Sequence, residues 1–227
     1  MSLSYWDGEY RSDRKIWGVQ PGEAARAAEK FVDETKYPVA GKRLLDLGTG
    51  YGRDLFHLAA RWRVRATGVD ASANAIELAN EELARNRRAN VEFRHARFQD
   101  IADGPYDLVY AANLYQILPR EERRQLCRAV ETLLAPGGLF MLSTLSSRDP
   151  EHAGKGTPVS GDPNTWVEKT LIHLSDRDEL TAAFPFLVFQ RLYEHEFIEP
   201  RAGGSTHHHI SWILVATRGN SSGGEAA

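Results

Sequence analysis

The sequence predicts an α/β fold in which a mostly parallel sheet is covered by helices on both faces. Three observations carry that expectation. Short apolar runs alternate with segments of helical period between Arg43 and Thr144, with short connections. The stretch Leu44-Leu45-Asp46-Leu47-Gly48-Thr49-Gly50-Tyr51-Gly52-Arg53-Asp54 reads as a buried strand, a turn with glycine at every second position and the opening of a helix. Two long strand patterns close the chain, near Leu187 to Phe197 and His207 to Thr217, linked through Gly203-Gly204 as an antiparallel hairpin.

The elements follow in order. From Tyr5-Trp6-Asp7 through Tyr10 to Trp17-Gly18 the chain is aromatic-rich but shows no helical period. Pro21-Gly22 opens a helix with Ala24, Ala28, Phe31 and Val32 on one face, and Tyr37-Pro38 stops it. The first strand is Arg43 to Leu47; past the glycine turn, a helix turns Leu55, Leu58, Ala59 and Trp62 inward. A second strand, Arg65 to Val69, ends in Asp70, and Ser72 caps a helix burying Ile76, Ala79 and Leu83. Asn90 to Arg94 and Tyr106 to Ala111 are the third and fourth strands. A helix from Glu121 buries Leu126, Val130, Leu133 and Leu134, and Pro136-Gly137-Gly138 ends it before a fifth strand, Leu139 to Thr144.

Residues 145–170, rich in Ser, Gly, Pro and Asp, read as a long inserted loop. Ser175 and Asp178 form a capping box for a last helix through Phe184. Residues 1–218 are expected to form one domain, with residues 219–227 a disordered tail.

Composition narrows the function. A chain of 227 residues holds one well-buried domain and is short for two. A net charge of −3 gives no global basic field for nucleic acid. No apolar run approaches the ~20 residues of a membrane span, and the N-terminus lacks a signal-peptide core. The single cysteine, Cys127, excludes an internal disulfide and a multi-cysteine metal site. These features fit a cytoplasmic protein, monomeric or homodimeric, that touches neither membrane nor nucleic acid.

The glycine turn lets a ligand lie against bare main chain, and the following helix presents unpaired N–H groups to it. With Asp46 two residues ahead of Gly48, Gly50 and Gly52, the pattern resembles motif I of the class I S-adenosylmethionine (SAM) dependent methyltransferases. The resemblance covers roughly Arg43 to Arg218. It implies a three-layer, Rossmann-like sheet of seven strands in the order 3-2-1-4-5-7-6, strand 7 antiparallel, with SAM over the carboxyl ends of strands 1, 2 and 4. Asp70, followed by Ala71, matches the family's acidic residue that accepts from the ribose hydroxyls; by its own position it also suits a helix-capping carboxylate. Pro136-Gly137-Gly138 and Asp107 match the family and read as structural.

One position departs from the pattern. Where the family often has an acidic group for the adenine amine stands Arg97, a donor only, which leaves adenine to backbone near Arg97-Phe98 and to packing on Phe98, with Asp100 a lesser substitute. Tyr5-Trp6-Asp7, Trp17-Gly18, Gly52-Arg53-Asp54 and the run from His207 to Thr217 look like the small-molecule methyltransferases of the tellurite-resistance and thiopurine type. In those, the N-terminal segment (here about 1–20) folds over the cofactor as a lid. Arg14 and Lys15 would then meet the methionine carboxylate while Trp17 covers the ligand; the alternative is that the rings pack beneath the first helix.

Methyl transfer from a sulfonium is an in-line displacement of an activated donor, so positioning and dehydration dominate, and a base is needed only if the acceptor must lose a proton. Asn113-Leu114-Tyr115-Gln116, just past the fourth strand, occupies the family's position nearest the methyl group, and Tyr115 either lines the acceptor pocket or simply packs. His207 and His209 share one face of the last strand and could act as a base or bind metal, but no acidic third ligand is apparent and no metal is assigned. His152 is a further possible base, and Cys127 is expected to be a buried, inert thiol. The reading is a SAM-dependent methyltransferase of a small molecule, releasing S-adenosylhomocysteine. Its rivals are a SAM-binding protein without chemistry and a nicotinamide-dependent oxidoreductase, whose G-x-G-x-x-G spacing the turn lacks.

Overall fold

The structure is a computed structural model that describes residues 2–12, 15–200 and 206–219. In chain order the elements are α1 (Ser2–Ser12), α2 (Glu23–Thr35), β1 (Arg43–Leu47), α3 (Arg53–Trp62), β2 (Arg65–Asp70), α4 (Ala73–Asn86), β3 (Val91–His95), β4 (Tyr106–Ala112), α5 (Arg120–Leu133) and β5 (Leu134–Leu145). There follow β6 (Thr157–Pro158), β7 (Thr165–Val167), β8 (Leu171–His173), α6 (Arg177–Ala183), β9 (Leu187–Pro200) and β10 (Thr206–Arg218).

Seven strands form one sheet in the order β3-β2-β1-β4-β5-β10-β9, parallel except that β10 runs against both β5 and β9. This is the expected order 3-2-1-4-5-7-6. Side chains alternate across each strand, so Leu45, Val109, Phe140 and Leu214 enter one core and Leu44, Leu108, Met141 and Val215 the other. The first core is closed by Leu126 and Val130 of α5 and Phe184 after α6, the second by Ala28 and Phe31 of α2 and Leu55, Leu58 and Trp62 of α3. Helices on both faces make the three layers. Among the described residues no helix is long and apolar enough to cross a membrane.

Four local expectations are corrected. The aromatic N-terminal segment contains a helix, α1. Its periodicity is faint because hydrogen bonds and single rings, rather than an apolar stripe, dock it on α4. Residues 145–170 are not a bare loop, since β6, β7 and β8 build a small antiparallel sheet there. Helix α5 runs directly into β5, so Pro136-Gly137-Gly138 lies inside a strand, at the register shift where β5 joins β4. The cap of α6 is Asp176, whose side chain accepts from Glu179 N at 2.8 Å, rather than Ser175. By contrast, Ser72 caps α4 as expected, accepting from Ala75 N at 3.1 Å. The Gly203-Gly204 link and, Gly219 apart, the expected tail lie outside the described residues.

The small sheet and α6 are tied to the main body by buried charge. Arg123 of α5 donates from both Nη atoms to Asp162, at 2.6 and 3.2 Å, with both side chains under 10% exposed. Tyr115 Oη donates to Glu179 at 2.9 Å, and His173 bridges Glu179 and Thr165.

Candidate functional site

At the carboxyl ends of β1, β2 and β4 lies a cavity of about 320 Å³. Its floor is the glycine turn, where Gly48 N and Thr49 N both donate to Val69 O, at 2.9 and 3.0 Å. Gly48, Gly50 and Gly52 all have positive φ, between 54° and 79°. At Gly50 the reason is also steric, because a Cβ there would stand 2.8 Å from the Tyr10 hydroxyl.

Two carboxylates frame the turn. Asp46 is buried and accepts from Thr49 Oγ1 at 2.7 Å; burial pushes its carboxyl up to about 8, against the lowering effect of that hydrogen bond. Asp70 remains partly exposed, its Oδ2 accepting from Gly50 N and its Oδ1 from Ser72 N, both at 2.8 Å. Burial raises its pKa, and the two main-chain donors oppose the rise. Asp70 thus already ties the glycine turn to the start of α4.

The N-terminal segment forms the opposite wall. Leu3, Trp6, Tyr10 and Trp17 line the cavity. The Asp7 carboxylate accepts from Ser72 Oγ (2.7 Å), Asn74 N (3.2 Å) and Asn74 Nδ2 (2.8 Å), fastening α1 to the first turn of α4. Tyr51 Oη donates to Gly18 O at 2.6 Å and accepts from Trp17 N at 3.1 Å. Arg53 Nη1 donates to Trp17 O, and Asp54 accepts from Gly22 N at 2.7 Å and from the Tyr110 hydroxyl at 2.7 Å. The Gly52-Arg53-Asp54 triplet therefore pins residues 17–22 over the glycine turn. The remaining wall holds Ala71, Arg97, Phe98, Asn113, Leu114, Ile117, Leu118 and Glu122. Arg97 pairs with Glu122 at 3.3 Å, while Asn113 sits at φ 57° and its side chain accepts from Ser143 Oγ at 3.4 Å.

Of the residues singled out in the sequence, Trp17, Asp46, Gly48, Gly50, Asp70, Ala71, Arg97, Phe98 and Asn113 line this one cavity. Gly52 starts α3 beside it, against the Phe93 ring. Arg14 lies outside the described residues, and Lys15 is engaged with Glu82 at 3.1 Å on α4. Tyr115 does not line the cavity: it is buried beneath it against His173 and Phe184. His207, His209 and His152 lie apart from it as well.

The acidic partner that the sequence did not reveal for the histidines is Asp149, fully buried, with Oδ2 3.0 Å from His209 Nδ1. Burial lowers the His209 pKa, but the hydrogen bonds to Asp149 and Glu199 outweigh it and push the imidazole up to about 9. Cys127 is half-buried against the core, and burial lifts its thiol to about 12. Sequence reasoning gave Arg53 no role, although the Gly52-Arg53-Asp54 triplet was visible; the signal was there, but its partners lie 30 or more residues away in the chain.

Comparison with known proteins fits this geometry. Residues 44–138 match the family described as "Methyltransferase domain". O-methyltransferase rstn1 of Aspergillus nomiae is 28% identical over 146 residues, 63% of this chain and 61% of that protein. The chain spans about three fifths of the length of such curated relatives. Two solved structures share the fold. The 1,6-didemethyltoxoflavin-N1-methyltransferase of Burkholderia thailandensis, with its substrate and S-adenosylhomocysteine bound, superposes with a TM-score of 0.69 at 17% identity, covering 96% of this chain and 87% of that one. TehB from Haemophilus influenzae gives 0.66 at 16% identity, covering 93% and 67%.

Proposed function

We propose that the chain carries a class I S-adenosylmethionine-dependent methyltransferase domain and methylates a small, largely apolar molecule held in the cavity beneath α1. One observation carries the reading: the same cavity joins a cofactor cradle, made of the glycine turn and Asp70, to a wall of aromatic and aliphatic side chains. The cradle suits the cofactor, because Gly48 and Gly50 put bare main chain on the cavity floor and the partly exposed Asp70 keeps acceptor capacity for a diol. Asp70 would hold the ribose, the main chain of residues 48–52 and the Arg53 guanidinium the methionine end, and Phe98 one face of the adenine. Bound SAM supplies an activated methyl group.

The chain's own part is to orient the acceptor and exclude water. Leu3, Trp6 and Trp17 shut the open side, and Leu114, Ile117 and Leu118 offer an apolar bed. Trp6 Nε1 is buried with no acceptor among the described residues, which leaves one N–H for a heteroatom of the bound molecule. Tyr115, His207 and His209 lie elsewhere and are not assigned as a base, so the role argued for this chain is positioning. The composition supports a cytoplasmic setting, and we take the protein as a monomer or homodimer.

Calorimetric titration with S-adenosylhomocysteine and NADH, followed by S-adenosylhomocysteine release with small phenols, amines and thiols as acceptors, tests the proposal. Binding of S-adenosylhomocysteine and turnover with an apolar acceptor are expected. NADH binding without S-adenosylhomocysteine binding would overturn it.

A further inference from the structure

Where the segment following β5 meets the start of β10, three imidazoles and two carboxylates converge outside the cofactor cavity. Asp149 is fully buried, and its Oδ1 accepts from Glu151 N and His152 N, both at 3.0 Å. Its Oδ2 accepts from Ile210 N at 2.9 Å and faces His209 Nδ1 at 3.0 Å. The other side of the buried His209 ring, Nε2, faces Glu199 Oε2 at 3.4 Å. His152 stacks on His209 with ring centroids 5.7 Å apart and planes within 18°. His207 lies 5.9 Å from His209 on the same strand face, and its Nδ1 is buried with no partner among the described residues.

We propose that Asp149, His152 and His209 form a binding site for a transition-metal dication of the zinc class. Donor atoms of the three residues lie within 4.8 Å of one another. Imidazole and carboxylate are the ligand types that zinc and its neighbours accept, at about 2.0–2.2 Å. Tetrahedral donors at that distance are ~3.3 Å apart, and the 3.0 Å between His209 Nδ1 and Asp149 Oδ2 is already close to it.

The ion would take the place of the proton shared by that pair, and the half-buried His152 would draw in to complete the set. Its supports resemble those of occupied sites. Main-chain N–H groups fix the Asp149 carboxylate, and Glu199 orients the far nitrogen of His209, as second-shell carboxylates do for metal-bound histidines. His207 Nδ1 stands nearby as a reserve donor. Such an ion would lock residues 149–152 to the start of β10.

The test uses the whole protein after treatment with a chelator. Cobalt(II) absorption and zinc calorimetry should show one equivalent bound, with a rise in melting temperature. His209→Ala should weaken binding at least 100-fold. Because that variant leaves Asp149 buried without its partner, the half-buried His152→Ala, which keeps the Asp149–His209 pair, is the safer companion and should weaken binding at least 10-fold. His208→Ala, on the opposite face beside Glu196, should leave binding unchanged. No binding to the wild type, or equal binding by His152→Ala and wild type, would overturn the proposal.

Discussion

Replacing Asp7 by alanine tests whether the N-terminal segment closes on the cofactor. The carboxylate receives three hydrogen bonds from Ser72 and Asn74, which hold the middle of α1 to α4 beside the packing of Trp6 and Tyr10 on Ala75 and Leu78. Hydrogen bonds to a charged group are worth about 1.5–3 kcal/mol each when buried, but the Asp7 side chain is 26% exposed, and its partners regain water when it is lost. A total near 2 kcal/mol is therefore reasonable, or about 30-fold in the closing equilibrium. If closure and binding are coupled, SAM affinity falls by up to ~30-fold, the full factor applying where the free protein is already mostly open and about half of it where open and closed are evenly balanced.

Ser72 keeps its bond to Ala75 N, so α4 itself should persist. The readout is hydrogen exchange over residues 2–12 and 73–86, with and without S-adenosylhomocysteine, beside calorimetric affinity. In the wild type, ligand should slow exchange in α1; in Asp7→Ala, α1 should exchange faster, and α4 hardly change. The Ser72 hydroxyl leads the effects that hold the Asp7 pKa below its ordinary value. The clasp is accordingly intact above the unfolded carboxylate pKa and is lost as pH falls through the lowered folded one. Equal, strong protection of α1 with and without ligand would refute the reasoning and make the helix fixed core.

Asp70→Ala should cost about 2–4 kcal/mol of cofactor affinity, roughly 30- to 1000-fold by titration; because Gly50 N and Ser72 N lose their acceptor, calorimetric stability of the free protein should drop too, by about 1–3 kcal/mol. Gly50→Ala should add ~1–2 kcal/mol of backbone strain and displace Tyr10; a double-mutant cycle with Tyr10→Phe should recover the clash but not the strain, and strict additivity would disprove the contact. Asp46 has a folded pKa raised to about 8, so its contribution is fully present below the unfolded value near 4 and is lost as pH rises through 8; urea unfolding at pH 5 and 9 should show that loss in the wild type and less of it in Asp46→Asn. Arg123→Ala leaves Asp162 charged and buried and should destabilise by about 3–5 kcal/mol in chemical denaturation; a change below 1 kcal/mol would mean the small sheet is anchored elsewhere.

The β-α alternation and the parallel sheet were legible in the pattern, whereas the strand order came from the family resemblance; the glycine turn marked where the ligand end lies. Asp46 could be placed from the strand-and-turn pattern, and Asp70 and Asn113 from the resemblance, which sets them at the carboxyl ends of β2 and β4. Tyr115 could not, because one turn of 3-10 helix decides whether its ring faces the cavity or the core, and here it rotates toward Glu179. Helix α1 escaped for a related reason, being held by Asp7 and isolated rings rather than by a repeating apolar face. Asp149 was hidden because its partner His209 lies 60 residues away, on a strand whose register is set by β5.

Trp6 and Trp17 stand with their rings 6.0 Å apart on the wall of the cavity, whereas Trp62 and Trp212 are sealed in the two cores. The protein thus carries its own optical gauge. Light emitted by the buried pair and by Trp166 of the small sheet supplies a steady background, while the outer pair responds to whatever stacks beside it or dries its surroundings. Ligand entry becomes visible as a change in colour and brightness without any attached dye, and stopped-flow mixing can time the event directly.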